Sequence, residues 1–127
     1  MQCSIRLWQI RAMNLDNWRT QLRKGLLDLC VLNFLAGREY YGYDLVQELK
    51  KSHALRIREG TVYPILARLE EDGLVISEVR PSNTGPPRKY FKITAEGRRA
   101  VAEMNEHWDW VEDAIRHSMG KPSGGER

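Results

Sequence analysis

The sequence predicts a mainly helical α+β fold, and three consecutive features near its centre support that prediction. The first is a short amphipathic helix whose apolar residues follow the spacing i, i+3, i+4 and i+7. These residues are Val62, Ile65, Leu66 and Leu69. The second is a helix stop at Gly73, and the third is a pair of strand-like runs separated by a basic turn. This order is that of a winged helix-turn-helix, and one long helix follows it.

The chain divides into four predicted segments. Its 127 residues leave room for one domain and an arm, but not for two separate cores. Residues 1–13 show no convincing periodicity and predict a flexible N-terminal extension. The winged helix-turn-helix domain is predicted at 14–94, a dimerisation helix at 95–119 and a disordered tail at 120–127.

A first helix is predicted from a cap at Asn14 or Asp16 to about Leu35. Apolar residues cover most of the circumference of its second half, so we expect burial on more than one side. Cys30 lies there and is expected to be a small core residue. Together with Cys3, it shows no disulfide framework and no metal-ligand spacing.

Two short elements are predicted before the amphipathic helix. Residues 40–43 form a turn into a second helix, which runs from Tyr43 to about Ser52. We expect Tyr43 to belong to the core more than to a binding surface. The alternation at residues 55–57 predicts a short strand.

The amphipathic helix has a second face that suits DNA. A cap at Gly60 or Thr61 would place Pro64 in the first turn, where a missing amide costs least. Thr61, Tyr63, Pro64 and Arg68 lie off the apolar stripe, and none is acidic. A hydroxyl, a phenol and a guanidinium can donate hydrogen bonds to base edges and phosphates, so this face is predicted to contact DNA.

Each of these residues also has a simpler interpretation. Thr61 could cap the helix, alone or in addition to touching DNA. Tyr63 could pack under the second helix. Arg68 could pair with Glu71 or Asp72, three or four residues further on.

The segment after the amphipathic helix predicts a basic wing. The two strands and the irregular loop between them are expected at residues 74–80, 89–93 and 81–88. The segment from residue 80 to residue 92 has four basic residues and no acid. Arg88 and Lys89, which follow Pro87, are expected to press on phosphates or a minor groove. The alternative is an ordinary polar hairpin.

Charge is uneven along the chain, although the net charge is only +3. Residues 1–24 hold five basic side chains and one acid, whereas acids gather between residues 96 and 113. Lys24 is therefore a candidate phosphate contact, with a solvated surface lysine as the alternative.

Composition excludes several classes of protein. With 42% hydrophobic and 29% charged residues, the chain is typical of a soluble globular protein rather than a disordered one. No apolar run approaches the roughly 20 residues of a membrane span, and no signal sequence is evident. We therefore expect a cytoplasmic location. The three histidines form no ligand pattern, and no metal, cofactor or catalytic constellation is predicted.

The last helix is predicted from Ala95 to about Met119, with Thr94 as its cap and Gly120 as its stop. Its apolar residues are spaced 3, 4, 3, 4, which is the seam of one helix packing along another. These residues are Val101, Met104, Trp108, Val111 and Ile115. We expect the seam to join two copies of the chain, because operator recognition usually needs two reading heads. The alternative is packing within one chain.

The chain resembles the PadR family of bacterial transcriptional regulators from about Met13 to Met119. The resemblance rests on several motifs in order: YGYD at 41–44, EGTVYP at 59–64, RLE at 68–70, GLV at 73–75, GPPRKYF at 85–91 and TAEGR at 94–98. The single C-terminal helix resembles the shorter subfamily. Residues 1–12 depart from the family pattern.

This resemblance implies a homodimeric repressor that binds a palindromic operator and releases it when an inducer binds. It implies DNA contacts by matching positions at the start of the recognition helix, in the wing and in the aromatic turn. These are Thr61, Tyr63, Pro64, Arg68, Pro87, Arg88, Lys89 and Tyr41. Within the shorter subfamily, a seam tryptophan is associated with a drug-binding cavity between subunits. Trp108, and less strongly Trp110, are therefore expected to contact a planar or hydrophobic small molecule.

The leading prediction is a dimeric, sequence-specific DNA-binding repressor that needs no cofactor. The competing prediction is a ligand-binding dimer that no longer controls transcription and keeps the wing for structure. Salt-dependent operator affinity separates the two. An enzyme is not predicted, because no nucleophile with a base, carboxylate pair or metal cluster has a recognisable spacing.

Overall fold

The computed structural model describes residues 2–122, and the side chains of residues 15–122. Its elements are α1 (Gln2–Gly37), β1 (Tyr40–Tyr41), α2 (Gly42–Lys50), a 3₁₀ turn (His53–Leu55), α3 (Glu59–Glu71), β2 (Val75–Ser82), β3 (Gly85–Ile93) and α4 (Ala95–Ser118). The predicted fold class, a mainly helical α+β winged helix-turn-helix with one long C-terminal helix, is confirmed. Within residues 2–122, no helix is both long and apolar enough to cross a membrane.

The core lies where the second half of α1, α2 and α3 meet one face of the sheet. The predicted apolar stripe of α3 is buried along its whole length. Burying each such side chain contributes about 1.5–3 kcal/mol relative to leaving it in water. The fully buried side chains are Val31, Leu32, Leu35, Leu45, Val46, Leu49, Val62, Leu66 and Val75, all at most 1% exposed.

The sheet has three antiparallel strands in the order β1-β3-β2. Tyr40 pairs with Phe91 and Tyr41 with Tyr90, so residues 40–41 form a short strand where the sequence predicted a turn. A buried Tyr40 side chain, 6% exposed, holds this strand on the core. The expectation of a core Tyr43 is wrong, since its side chain is 50% exposed at the start of α2.

The wing is more regular than the sequence predicted. The two strands run to Ser82 and from Gly85, so only residues 83–84 form the turn between them. The prediction of an irregular loop over residues 81–88 is therefore wrong. The strand register shifts between Arg80 and Ser82, and this bulge accommodates the prolines of the wing. Proline cannot donate a ladder hydrogen bond, and a bulge leaves some of those bonds unmade.

Helix α1 begins much earlier than predicted. It spans 36 residues from Gln2, about 54 Å, and Asn14 and Asp16 lie inside it rather than capping it. Residues 2–13 contain no glycine or proline and are rich in good helix formers, which explains the continuous helix. The flexibility of residues 1–13 stays a prediction. Residues 123–127 of the predicted tail lie outside the described residues.

The entry into α3 also differs from the prediction. Residues 53–55 form a 3₁₀ turn instead of contributing to a strand, and Arg56 adopts a left-handed backbone with φ 47° and ψ 55°. The N-cap of α3 is Arg58, with no side-chain capping bond, so the predicted cap at Gly60 or Thr61 is wrong. Ile57 is buried in the core, and the helix begins two residues after it, at Glu59. Pro64 consequently lies in the second turn rather than in the first.

The start and end of α4 match the prediction. Thr94 is the N-cap, and its Oγ1 accepts a hydrogen bond of 3.0 Å from the Gly97 amide. The same hydroxyl donates to the Gly73 carbonyl oxygen at 2.7 Å. Gly120 has a φ of 74°, the left-handed conformation of a helix stop. Gly97 is buried against the Leu74 carbonyl, so α4 is held tightly on the domain.

Candidate DNA-binding surface and helical strip

The face of α3 opposite the core is free, as predicted. Burial of the apolar stripe points the intervening residues outward, and no acidic residue lies between Gly60 and Arg68. The predicted contact residues on this face are all exposed. They are Thr61, Tyr63, Pro64 and Arg68.

Tyr63 both packs and remains accessible. Its ring rests on Gly42 at the start of α2, where an added Cβ would lie 3.0 Å from Tyr63 Cε1 and 3.3 Å from Phe91 Cε2. A side chain at position 42 would therefore push the ring away. Burial, Tyr41 and Glu59 raise the pKa of the Tyr63 hydroxyl, so it stays a hydrogen-bond donor at neutral pH.

Arg68 has a partner that the sequence did not indicate. Its Nη2 donates to Oδ1 of Asp28 on α1, rather than to Glu71 or Asp72. The Asp28 contact joins α3 to α1 across 40 residues of sequence. The Arg68 side chain is still 52% exposed, so its other N–H donors remain accessible.

The predicted wing residues are exposed along the first half of β3. The Arg88 guanidinium carbon lies 4.8 Å from the centre of the Tyr41 ring, and Lys89 Nζ lies 5.6 Å from the Phe91 ring. Neither cation forms an ion pair with any residue from 15 to 122. Tyr41 therefore positions Arg88, and Pro87 is exposed beside it.

Arg80 of β2, in contrast, is paired with acidic residues of the same chain. It donates twice to the Glu39 carboxylate at 2.9 Å, once to Glu78 at 3.1 Å, and lies 4.4 Å over the Tyr90 ring. The hydrogen bond from Arg80 holds the pKa of Glu39 below its usual value. Glu39 precedes β1, and its role was missed because the sequence did not indicate that strand.

A second basic surface was only partly predicted. Lys24 lines a hollow of about 410 Å³ between α1 and the start of α3, which it shares with Thr61. Three arginines surround the same hollow, and these are Arg23, Arg56 and Arg58. The sequence offered only the basic composition of residues 1–24 as a signal, since Arg56 and Arg58 are distant from it along the chain.

The predicted seam of α4 divides into two parts. Val101 is buried in the domain's own core, and Met104 packs against that core. Trp108 and Val111 are half-buried, whereas Ile115 is 48% exposed. The intramolecular alternative therefore describes the first part of the seam but not the second.

Helix α1 also exposes apolar side chains, at the end of the molecule where the second part of the α4 seam lies. Asn33 and Asn105 exchange two hydrogen bonds of 3.0 and 2.8 Å, and the helices run antiparallel from there. We call the exposed and half-buried apolar residues at this end of both helices the helical strip. It comprises Leu15, Trp18 and Leu22 of α1, Trp108, Val111 and Ile115 of α4, and Met119, the C-cap of α4.

A groove of about 500 Å³ lies between the two helices beside this strip. Trp108 and Val111 line it together with Leu26 and Leu29, and the lining is mainly apolar. Trp110 lies elsewhere, 62% exposed, with its ring 6.0 Å from His107 in an edge-on arrangement. Among the described residues, no group of three or more His, Cys, Asp or Glu side chains could hold a metal ion.

A buried helical core, an exposed non-acidic helix face and a basic two-stranded wing define a winged helix-turn-helix protein. The family described as "Transcriptional regulator PadR-like family" matches residues 31–103, more than half of the chain. The protein belongs to this family. Its members are transcriptional regulators rather than enzymes, which confirms the prediction that the chain has no catalytic activity.

Individual relatives agree with the family assignment. The chain is 39% identical over 103 residues to "Transcriptional regulator Rv3488" of Mycobacterium tuberculosis (strain ATCC 25618 / H37Rv), covering 81% of this chain and 92% of that protein. A PadR family transcriptional regulator from Eggerthella lenta DSM 2243 matches with a TM-score of 0.76 and 32% identity, over 87% of this chain and 96% of that one. A PadR-like regulator from Bacillus cereus strain ATCC 14579 matches with a TM-score of 0.70 and 32% identity, over 84% and 99%.

Proposed function

We propose that this PadR-family regulator is a homodimeric repressor that binds a palindromic operator and releases it when a small molecule binds. The observation that carries the DNA-binding part is the exposed face of α3, which has donors and no acid between Gly60 and Arg68. A cytoplasmic location follows from the proposal, because operator DNA is the partner.

The contacts divide into base-reading and backbone-positioning groups. Thr61, Tyr63, Pro64 and Arg68 enter the major groove with α3 and read base edges. Pro87, Arg88 and Lys89 of the wing, with Tyr41 beneath, approach the backbone or the minor groove. Lys24 of α1 contacts a phosphate. Arg68 keeps its bond to Asp28 and uses its open amino group for DNA.

The helical strip supports the homodimer. Trp18, Ile115 and Met119 are 60%, 48% and 54% exposed, which is unusual for so many large apolar residues on two adjacent helices. A second copy, related by two-fold symmetry, would cover the strip and place two α3 helices on one side of the DNA. The dimerisation residues are Val101, Met104, Trp108, Val111 and Ile115, of which Val101 acts by fixing α4 on the domain.

The groove between α1 and α4 supports an inducer site. Its volume of about 500 Å³ falls in the range of small-molecule pockets, and Trp108 offers a flat apolar wall. A planar or hydrophobic molecule fits this lining, with Trp110 as a secondary contact. The same groove favours the second candidate function, a ligand-binding dimer without transcriptional control.

Binding to DNA from immediately upstream of the protein's own gene tests the proposal. Fluorescence anisotropy is measured over a salt series, with a scrambled duplex of equal length as the control. Tight binding that resists competitor DNA and weakens steeply with salt is the expected result. Equal affinity for the upstream and scrambled duplexes, repeated with fragments from elsewhere in the genome, would favour the second candidate.

A further inference from the structure

Three separate segments bring basic side chains around the hollow between α1 and α3. We call it the basic hollow. It has a volume of about 410 Å³ and an opening formed by the side chains of both helices and the connection before α3. Its polar lining residues are Thr20, Arg23, Lys24, Arg56, Arg58 and Thr61.

No acid neutralises the four cations of the basic hollow among residues 15–122. Within that range, Arg23 donates only to Thr20 Oγ1, at 3.3 Å, and no ion pair between described side chains involves Lys24, Arg56 or Arg58. Elsewhere, the basic residues Arg19, Lys51, Arg68, Arg80 and Arg99 each pair with an acid. Cations gathered without a counter-charge repel one another, and an anion between them offsets that repulsion.

The backbone at Arg56 does not favour an arginine. Its φ of 47° and ψ of 55° are left-handed, a conformation that costs a residue other than glycine about 1–2 kcal/mol. Glycine at this position would relieve the strain, so the backbone conformation does not account for an arginine here. A second hollow beside it places Arg19 and His53 near Arg56 as well, and Arg19 there is paired with Asp16.

Thr61 connects the basic hollow to the base-reading face. It lines the hollow and also lies in the first turn of α3, among the exposed residues that face DNA in the proposed function. We propose that the basic hollow binds a phosphodiester group of the operator backbone, next to the base pairs that α3 reads. This inference rests on the proposed function and adds Arg23, Arg56 and Arg58 to the phosphate contacts.

Arg56→Gly is the most direct variant, because it removes the charge and relieves the backbone at once. Its operator affinity is measured by anisotropy over a salt series, beside the parent, Arg56→Lys and Lys121→Ala. The slope of log affinity against log salt should decrease in magnitude by about 0.9 per subunit for Arg56→Gly, which is about 1.8 for the dimer. Affinity at 0.1 M salt should fall about eightfold per half-site, which is about 60-fold for the dimer. Arg56→Lys should keep the parent slope, and so should Lys121→Ala at the far end of α4. The melting temperature of Arg56→Gly should equal or exceed that of the parent.

The outcomes separate this inference from the proposed function. An operator slope equal to the parent's in both Arg56→Gly and Arg58→Ala overturns the inference and leaves the repressor intact. A parent that binds all duplexes alike, with a slope that Arg56→Gly flattens, supports the phosphate contact and removes the operator function. A parent that binds no DNA overturns both.

Inorganic phosphate provides the remaining arm of the test. At constant ionic strength and without DNA, added phosphate should not change the difference in melting temperature between the parent and Arg56→Gly. If phosphate raises the melting temperature of the parent alone, and the operator slopes are equal, the basic hollow is a free-anion site. That result would overturn the assignment to the DNA backbone.

Discussion

The winged domain and the helical strip use apolar residues in opposite ways. In the winged domain, the stripe of α3 meets α1, α2 and the sheet, and its residues are at most 7% exposed. In the helical strip, Trp18, Ile115 and Met119 are about half exposed although they lie on long, regular helices. The first region is buried within the chain, whereas the second leaves large apolar side chains exposed among the described residues.

In the proposed function, this difference separates two steps. The proposed DNA-reading surface needs only the fold of one chain, because α3 and the wing are fixed by the core beneath them. The proposed spacing of two reading surfaces needs the strip, because a second copy would pack there. Variants in the two regions should therefore fail in distinguishable ways.

Trp108→Ala should have the largest effect, and it should fall on assembly. If a second copy buries Trp108 fully, its loss weakens the dimer by about 3 kcal/mol or more. Sedimentation equilibrium measures this change, with circular dichroism to check the fold. Trp110→Ala is the matched control, because that side chain is 62% exposed and off the seam. A Trp108→Ala dimer as tight as the parent would show that the seam is misassigned.

Gly97→Ala should break the winged domain instead. An added Cβ would lie 2.2 Å from the Leu74 carbonyl oxygen, so α4 must shift away from the sheet. We expect a loss of about 3 kcal/mol in the free energy of unfolding, measured with urea. Gly60→Ala meets open space and should change stability by less than about 0.5 kcal/mol. Equal stabilities of the two variants would contradict the close packing of α4.

Replacing Arg88 and Lys89 together with alanine should weaken binding to all DNA. Two lost phosphate contacts per subunit reduce the magnitude of the salt slope by about 1.8 for each half-site, which is about 3.6 for the dimer, and each half-site loses roughly 60-fold in affinity at 0.1 M salt. The dimer should not change and the melting temperature should change little, because both side chains are exposed and their cation–π contacts with Tyr41 and Phe91 are worth only about 0.5–1 kcal/mol each. An unchanged slope, measured by anisotropy beside Lys121→Ala, would remove the wing from the interface.

Glu39→Gln should have the smallest effect and a defined pH dependence. The pKa of Glu39 is below its ordinary value of 4.5, so its bond to Arg80 stabilises the fold fully above that pH. As the pH falls below 4.5, the folded carboxylate takes up a proton and the contribution disappears. The parent should melt higher than Glu39→Gln at pH 7, and the difference should shrink toward pH 3. Glu106→Gln serves as an exposed control, and a constant difference between parent and Glu39→Gln would argue against the ion pair.

Local patterns were sufficient to predict the elements that local rules specify. The stripe of α3, the Thr94 cap and the Gly120 stop depend on residues within a few positions of one another, and all three are confirmed. The predicted start of α1 is too late, because Asn14 resembles a helix cap although no glycine or proline between residues 2 and 13 interrupts the helix.

Contacts between distant segments could not be predicted in this way. The Arg68–Asp28 and Arg80–Glu39 pairs join residues 40 and 41 positions apart, and the first replaces the local pairing that the sequence offered for Arg68. The basic hollow has the same origin, since Arg23 and Arg56 meet only after α3 packs on α1. The left-handed Arg56 also has no sequence signal, because glycine or asparagine is usual in that conformation.

Selection of binding sites from a random DNA pool tests the central claim most directly, because it does not depend on where the operator lies. A homodimeric reader should enrich a palindrome whose half-site centres lie about 10–10.5 bp apart, or a multiple of that spacing. Trp108→Ala should enrich single half-sites or none. Enrichment of a non-palindromic site by the parent would contradict the homodimeric reader, and a pool that remains random would contradict sequence-specific binding altogether.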